Sequence, residues 1–501
     1  MADSSQACRP TRQPFFRILL SAGSVSLLSQ GIALLRQVLV VSLFGFGRAL
    51  DFYATLYALM SISVISLSSV LESNFIGLLN ERKARDGEDA MHAGFGAYVV
   101  ASVVMSVGLV GLLVLFYPLL SLPFTAGFSA AEKAEIEALA LAFLPWALLV
   151  LPFAAMGACV KSAWHYRQFF TAELMVTLVS TGIIYLHHEQ VADIAHAYAY
   201  GYGIAVLYLG WNLRRRLRLA AESFPWRHFL SRFLRHVGSN QVGTLYTMAE
   251  RFWFSHLPAG GIATLGVVQQ LTMSFTSLLS FRDAYLVPLA DPTGRAQKIA
   301  RLLCGLFLLS TAAATFVAIA AQPIGALLFQ YGKAGGKDID LLATLLAIGM
   351  VGVLMSTLGT PIWRVLQLGA RYTPLVWLYL FSAGLTLATG YFFVGRLGLG
   401  AVGMAIVGAI NATVAFLASV AYARSFGTRL SLAQVGLLLQ SLAVFLAAAL
   451  VSRLAMDGVT AGALVKLLCG GLIYAICLAG YAVVIRHRLR PLLKGTGLWA
   501  G

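Results

Sequence analysis

Residues 16–79 read FRILLSAGSVSLLSQGIALLRQVLVVSLFGFGRALDFYATLYALMSISVISLSSVLESNFIGLL. They form two apolar runs, each long enough to cross a bilayer, for which about 20 residues suffice. Arg36 stands near the middle of the first run; the second opens on Asp51 and closes on Glu72. Gln30 and Gln37 flank Arg36, and Ser61, Ser63, Ser66, Ser68, Ser69 and Ser73 follow. A charge at the bilayer centre costs about 2.5–3.5 kcal/mol on insertion scales, so it normally faces a protein-lined, water-filled interior. Polar groups this dense, in runs this apolar, imply a cavity that holds something polar inside a membrane.

The rest of the chain agrees. Of its 501 residues, 59% are hydrophobic and 11% charged, and the mean hydropathy is +0.81. Soluble domains carry roughly 25% charged residues. Apolar windows recur at 16–45, 50–79, 91–122, 134–160, 168–187, 194–213, 238–257, 260–290, 299–330, 340–363, 373–395, 400–423, 431–452 and 461–485. The expectation is an all-α, polytopic membrane protein with about 14 transmembrane helices. A β-barrel is excluded, because its strands would alternate apolar and polar residues with period two. Arg9, Arg12 and Arg17 precede a first run that reaches about Gly45. That is too long for a signal-peptide core and has no small-residue cleavage site, so it reads as an uncleaved first span.

The formal charge is +16, and its placement decides what it means. With fourteen spans and a cytoplasmic N-terminus, most Lys and Arg fall on the inner side, notably at 82–85, 214–235, 295–301 and 486–494. Only Arg36, Arg251 and Arg282 stay inside spans. This is the positive-inside pattern. It puts both termini in the cytoplasm and makes anionic membrane lipid, not nucleic acid, the partner of the basic surface.

The longest inner loop divides the chain. Residues 213–236, LRRRLRLAAESFPWRHFLSRFLRH, open on a basic run and close on an amphipathic stretch with Phe229, Leu230, Phe233 and Leu234 on one face. Such a stretch is expected on the inner membrane surface. The organisation read from this is an N-lobe over 1–213 (helices 1–6) and a linker over 214–237. A C-lobe over 238–425 (helices 7–12) follows, then 426–501 with helices 13–14 and a basic tail.

Helical spacing sorts the polar residues onto stripes. Ser61, Ser68 and Glu72 follow i, i+7, i+11 in the second span. Asn240, Thr244, Thr247 and Arg251 follow i, i+4, i+7, i+11 in the seventh, and Gln269, Met273, Thr276, Ser280 and Asp283 share a face of the eighth. In the first span Ser29, Ala33 and Arg36 share one face, and Gln30 and Gln37 a neighbouring one. Spans 1, 2, 7 and 8 are thus expected to line a common cavity. Blander readings stand beside this one. Serines in membrane helices bond back to their own backbone, and Glu250–Arg251 and Arg282–Asp283 suit ion pairs between helices.

Little points to chemistry. His187, His188, Glu189, Asp193 and His196 form an outer-loop cluster without the H-E-x-x-H spacing that places two ligands on one helix face; a solvated loop is the better reading. The five cysteines have no metal-like spacing. There is no nucleophile–base set, phosphate loop or paired-carboxylate site, so neither an enzyme nor a cofactor is expected.

Residues 27–59, LLSQGIALLRQVLVVSLFGFGRALDFYATLYAL, resemble the opening of the MviN/MurJ-type lipid II flippases of the MOP transporter superfamily. Glu250-Arg251, Leu257-Pro258-Ala259-Gly260, Leu328-Phe329-Gln330-Tyr331-Gly332-Lys333, Thr373-Pro374 and the run GAVGMAIVGAIN at 400–411 are similar to later segments of that family, in the same order. The resemblance implies a two-lobe MOP-type fold in the bacterial inner membrane. It implies alternating access, and a polyprenyl-pyrophosphate-linked oligosaccharide moved from inner to outer leaflet through a cationic cavity. Glycan-assembly enzymes would be the protein partners. Arg36, Arg251 and Arg282 would then contact the headgroup phosphates, with Gln30, Gln37, Gln269 and Gln270 also lining the cavity. Asp51, Glu72, Glu250 and Asp283 would serve gating or ion coupling. The chain also departs from the family. Gln30 stands where it usually has Arg, Gln37 where it has Asp, Val64-Ile65 where it has a basic pair, and Gln269-Gln270 where it has Asp-Arg. With these losses the implied cargo is lipid II or a related lipid-linked glycan.

Two other readings fit the same composition. One is an ion-coupled small-molecule or drug antiporter of the same superfamily; the other is a non-transporting membrane scaffold of a glycan-assembly complex. Cysteines placed singly along the four polar stripes are expected to react with a water-soluble thiol reagent in intact membranes. Protection along all four would remove the cavity.

Overall fold

The computed structural model describes residues 15–214, 224–280, 295–368, 373–425, 432–460 and 462–493. Among these the regular structure is helical, with no strand. The first helices are α1 (Phe15–Phe44), α2 (Arg48–Met60), α3 (Ser66–Asp86), α4 (Glu88–Thr125), α5 (Ala130–Ser162), α6 (Tyr166–Leu186), α7 (Ala192–Leu213) and α8 (Trp226–Phe254). They are followed by α9 (Gly261–Ser280), α10 (Arg295–Ile319), α11 (Ala321–Phe329), α12 (Gly336–Leu368), α13 (Thr373–Gly390), α14 (Gly400–Ser425), α15 (Leu432–Gly458) and α16 (Ala463–Leu493). A π-helical turn, Ser61–Ile65, joins α2 to α3, and a second, Tyr391–Arg396, extends α13.

Ten helical segments among the described residues are long and apolar enough to cross a membrane, and Leu28–Phe44 is a shorter apolar helix. The chain is a multi-pass helical membrane protein. On α4, Val103, Val107, Leu115, Leu119 and Leu122 are exposed, as are Leu446, Leu450 and Leu454 on α15. Apolar strips this long have lipid as their solvent, and only helices and closed barrels satisfy every backbone group there. Pro118, Pro123, Pro145 and Pro152 sit inside α4 and α5, as bilayer-spanning helices tolerate. At Pro323 the ninth expected span breaks. Proline has no N–H to give the carbonyl four residues back, here Ile319, and α10 stops there. Arg453 Nη1 donates to that carbonyl at 3.1 Å.

The chain forms two compact units. The first comprises 1–36, 63–114 and 142–233, and the second 37–62, 115–141 and 234–501. Residues 37–62 and 115–141, from the N-terminal half of the chain, therefore group with the C-terminal half.

In the first unit the core is aromatic. Phe75 of α3 meets Tyr98 of α4 edge-on at 4.9 Å and Phe229 of α8 at 5.4 Å. Phe224 packs 5.0 Å from Tyr98. Residues 226–237 of the expected linker are the first turns of α8, and 215–223 lie outside the described residues. Phe229 of its apolar face is fully buried in this cluster, whereas Leu230 and Leu234 are exposed. In the second unit α12 packs on α10 and α14, and α15 on α16. Tyr474 of α16 donates to the Ala312 carbonyl at 2.8 Å and lies 2.6 Å from the Thr315 hydroxyl.

Helix α7 approaches α6 closely at Gly201, where a β-carbon would come within 2.7 Å of the Val176 carbonyl oxygen. Gly182 of α6 has open space around its missing β-carbon. Gly201→Ala is therefore expected to destabilise the protein by about 1–3 kcal/mol, the usual cost of overpacking. Gly182→Ala should be neutral, or stabilising by up to about 1 kcal/mol through helix propensity. Thermal unfolding of both variants in detergent tests the contrast.

Candidate functional site

The polar residues resolve into clusters within each unit. In the first unit Arg36, on α1, donates from Nη1 to Ser180 Oγ at 2.8 Å, and its guanidinium lies 4.6 Å from the Tyr198 ring centre. About two turns earlier on α1, the Ser29 hydroxyl is 3.2 Å from that of Thr177. Helix α6 thus presents a hydroxyl line to the polar face of α1. The guanidinium is oriented by a hydroxyl and an aromatic face. Gln30 is exposed.

Glu72, on α3, forms an ion pair with Lys161 of α5, whose ammonium sits 3.4 Å from the Phe169 ring centre. Buried charges persist where they are paired, and this pair ties α3 to α5 and α6. The serines that follow Ser61 in sequence behave differently. Ser68 and Ser69 both donate to the Ile65 carbonyl, at 2.8 and 3.1 Å, and Ser73 to that of Ser69 at 2.9 Å. Their hydroxyls are spent on their own helix.

In the second unit Asp51, on α2, is fully buried. Its two carboxylate oxygens take the first free N–H groups of α9. Gly260 N donates to Oδ2 at 2.7 Å and Ala263 N to Oδ1 at 2.8 Å. A helix leaves its first N–H groups without internal partners and carries a partial positive charge there, so a carboxylate from another helix completes it. The approach requires glycine. Gly260 has φ +82°, and a β-carbon would lie 2.6 Å from the Phe46 carbonyl oxygen.

Arg48 reinforces the same place. Its Nε is 2.5 Å from Glu132 Oε1, Nη1 donates to the Leu257 carbonyl at 3.2 Å, and the guanidinium lies over Phe128 at 4.7 Å. Glu132 is itself held by a capping box: its Oε2 accepts from Ser129 N at 2.8 Å and from Ser129 Oγ at 2.9 Å. Nearby, Gly127 N donates to Ser255 Oγ at 2.9 Å. Lys333 N donates to the Ser42 carbonyl at 3.0 Å, and Gly332 packs directly on Ser42. The end of α1, the start of α2 and the loops α4–α5, α8–α9 and α11–α12 are thereby clamped together.

Further along α8 and α9, Gln269 bridges Glu250 and Arg251. Arg251 Nη2 donates to Gln269 Oε1 at 3.0 Å, and Gln269 Nε2 donates to Glu250 Oε1 at 3.1 Å. The orientation of the amide follows from its partners, since a guanidinium only donates and a carboxylate only accepts. The Arg251 guanidinium also lies over Phe254 at 4.5 Å, and its Nε is buried without a hydrogen-bond partner among the described residues. Gln37 is half-buried and Gln270 exposed. Arg282 and Asp283 lie outside the described residues.

Of the residues expected from sequence, Glu250, Arg251 and Gln269 come together, while Arg36, Glu72 and Asp51 each take partners that sequence reading missed. Those partners are Ser180, Tyr198, Lys161, Arg48 and the α9 N-terminus. Only Arg48 carried a local signal, its i, i+3 spacing to Asp51. The outer-loop histidines do not assemble a ligand set, and no three His, Cys, Asp or Glu converge among the described residues. Asp193 there accepts from Gln190 N at 2.9 Å at the start of α7.

Replacing Asp51 by Ala strands two buried N–H groups, so unfolding stability is expected to fall by about 1–3 kcal/mol. Asp51→Asn, which keeps one acceptor oxygen, should cost less. Thermal unfolding in detergent, with amide hydrogen exchange at Gly260 and Ala263, reads both effects.

No protein-family model matches the chain, and no curated protein sequence does. Solved structures do match. A lipid II flippase, MurJ, in an inward closed conformation superposes with a TM-score of 0.76 at 14% identity, covering 94% of this chain and 100% of that one. An inward-facing multidrug-resistance MATE transporter of the MOP superfamily gives 0.64 at 15% identity, covering 81% and 97%. A MOP-superfamily transporter from Pyrococcus furiosus gives 0.55 at 15% identity, covering 82% and 95%. The chain has the fold of MOP-superfamily transporters.

Proposed function

We propose that the protein is a flippase that carries the headgroup of a polyprenyl-pyrophosphate-linked oligosaccharide from the inner to the outer leaflet by alternating access. In this reading fourteen crossings place both termini in the cytoplasm of a bacterial cell, and the inner membrane houses two lobes of six helices followed by helices 13 and 14. The observation that carries the reading is a pair of pre-oriented arginines in helices of a membrane protein. Arg36 is held by Ser180 and Tyr198, and Arg251 by Gln269 and Phe254. Guanidinium groups suit phosphate oxygens because they donate in a planar fork and stay charged. The apolar tail remains in lipid while the polar head crosses, which fits the lipid-facing strips on α4 and α15. Likeness to a solved lipid II flippase over nearly the whole chain supports the same reading.

Other residues take roles from their geometry. Asp51, Arg48 and Glu132 clamp the ends of several helices, so we assign them to closing the outer side. Glu72 with Lys161 holds α3 against α5, and Glu250 with Gln269 sets the orientation of Arg251. The multidrug transporters share the fold, but the Arg36 guanidinium disfavours a cationic cargo beside it by simple Coulomb repulsion.

The test is flipping of a fluorescent polyprenyl-pyrophosphate saccharide in proteoliposomes. Arg36→Glu and Arg251→Gln are expected to slow it by about tenfold or more, the equivalent of one lost charge-assisted hydrogen bond. Arg36→Lys should retain part of the activity. A wild-type rate from Arg36→Glu would sink the phosphate role, and no flipping by the wild-type chain would favour the scaffold reading.

A further inference from the structure

The second unit contains a cavity of about 280 Å³ walled by α8, α12, α13 and α14. Among the described residues its polar lining is uncharged: Tyr246, Thr360, Trp363, Tyr379, Ser382 and Asn411 line it, together with Gly408.

Asn411 is the most informative of these groups. Its side chain is 4% exposed, and Nδ2 donates to Thr386 Oγ1 at 2.9 Å and to the Val407 carbonyl at 3.2 Å. The Thr386 hydroxyl donates its own proton to the Ser382 carbonyl at 2.8 Å, so towards Asn411 it accepts. A carbonyl also only accepts. Both partners therefore require the NH₂ end of the amide, which fixes its orientation from the network. Oδ1 is left as a buried acceptor with no donor among the described residues. Buried acceptors are normally satisfied, and this one, held in place by its amide's two donations, has no donor among the described residues.

The walls complete the description. Tyr379 packs its ring 3.7 Å from the β-carbon position of Gly243 on α8, which sets that ring against the helix. Three aromatic side chains, one free amide oxygen and a serine hydroxyl are the chemistry that recognises a neutral polyhydroxylated ring. Its apolar C–H faces lie on aromatic surfaces, and its hydroxyls donate to the acceptor. The volume is at the small end of the roughly 300–1,000 Å³ of ordinary ligand sites, which suits one ring and not a whole glycolipid. Tyr246 lies five residues before Arg251 on α8, about 7.5 Å along the helix axis and about 140° around it.

We propose that this cavity is a saccharide subsite that receives one neutral sugar ring, with Asn411 Oδ1 accepting a sugar hydroxyl. Its place in transport rests on the flippase reading above. The ring bound here would be the one next to a phosphate held at Arg251.

Gly408 provides a clean test, because its missing β-carbon faces open space. Gly408→Leu puts bulk into the cavity from a residue that makes none of the Asn411 hydrogen bonds, and Ala412→Leu is a second filling variant on the same helix. Full-length protein in nanodiscs is titrated with methyl β-glucoside and methyl β-N-acetylglucosaminide by ligand-observed NMR. A sugar-free polyprenyl pyrophosphate is titrated in parallel. Saturable glycoside binding to the wild type, weakened about tenfold or more by Gly408→Leu with no drop in unfolding temperature, is the expected result. No saturable glycoside binding, or equal binding by wild type and both filled variants, overturns the subsite. The two readings separate cleanly. Pyrophosphate bound by every protein with glycoside bound by none removes the subsite alone. Glycoside bound without pyrophosphate removes the flippase reading and leaves the subsite standing.

Discussion

A buried carboxylate seated on the end of a helix organises the second unit. Asp51 has no exposed surface, and an ionised carboxylate in such a place persists only with full hydrogen bonding. The α9 N-terminus supplies that in the form of two backbone N–H groups at 2.7 and 2.8 Å. Each side solves the other's problem, since the helix end lacks acceptors and the carboxylate lacks donors. Gly260, with its positive φ, allows the backbone to come that close. Around this contact Arg48 and Glu132 draw in the start of α5, and Ser42 draws in the loop after α11. The grouping of 37–62 and 115–141 with the C-terminal half follows from these ties.

The same economy of donors and acceptors recurs wherever polarity enters the apolar helices. Gln269 serves a cation with its oxygen and an anion with its nitrogen. Arg453 takes the carbonyl that Pro323 leaves without a partner. Serines and threonines close on carbonyls three or four residues back along their own helices. Two groups stand apart from this closure among the described residues: the Arg251 Nε and the Asn411 Oδ1 have no hydrogen-bond partner there. One is a donor suited to an anion, and the other an acceptor suited to a hydroxyl. A phosphorylated sugar combines both demands.

Much of the architecture was legible beforehand. Hydrophobic run length is a local property, and over the described residues the apolar windows lie on the helices, with 50–79 divided between α2 and α3 by a π-helical turn and 299–330 between α10 and α11. The glycine in Leu257-Pro258-Ala259-Gly260 was legible as a motif but not as a reason; its meaning appears only when Phe46 is found against it. The span-2 serines show what density leaves open. Ser68, Ser69 and Ser73 donate to carbonyls of their own helix, which composition does not distinguish from donating into a cavity. Phe229 was placed on an amphipathic face by its spacing, but the surface it meets is Phe75 and Phe224, because spacing defines a face without naming its partner.

Sequence by itself determined the solvent of this protein, the helical class and which residues are costly to bury, since all three follow from side chains taken one at a time or in short windows. Tertiary structure alone decided how each costly residue is compensated. Lys161 lies 89 residues from Glu72, Ser180 lies 144 from Arg36, and Gly260 lies 209 from Asp51. No local pattern encodes a pairing across such distances. The helices must first pack, and only their packing brings a charge and its counterpart to the same depth.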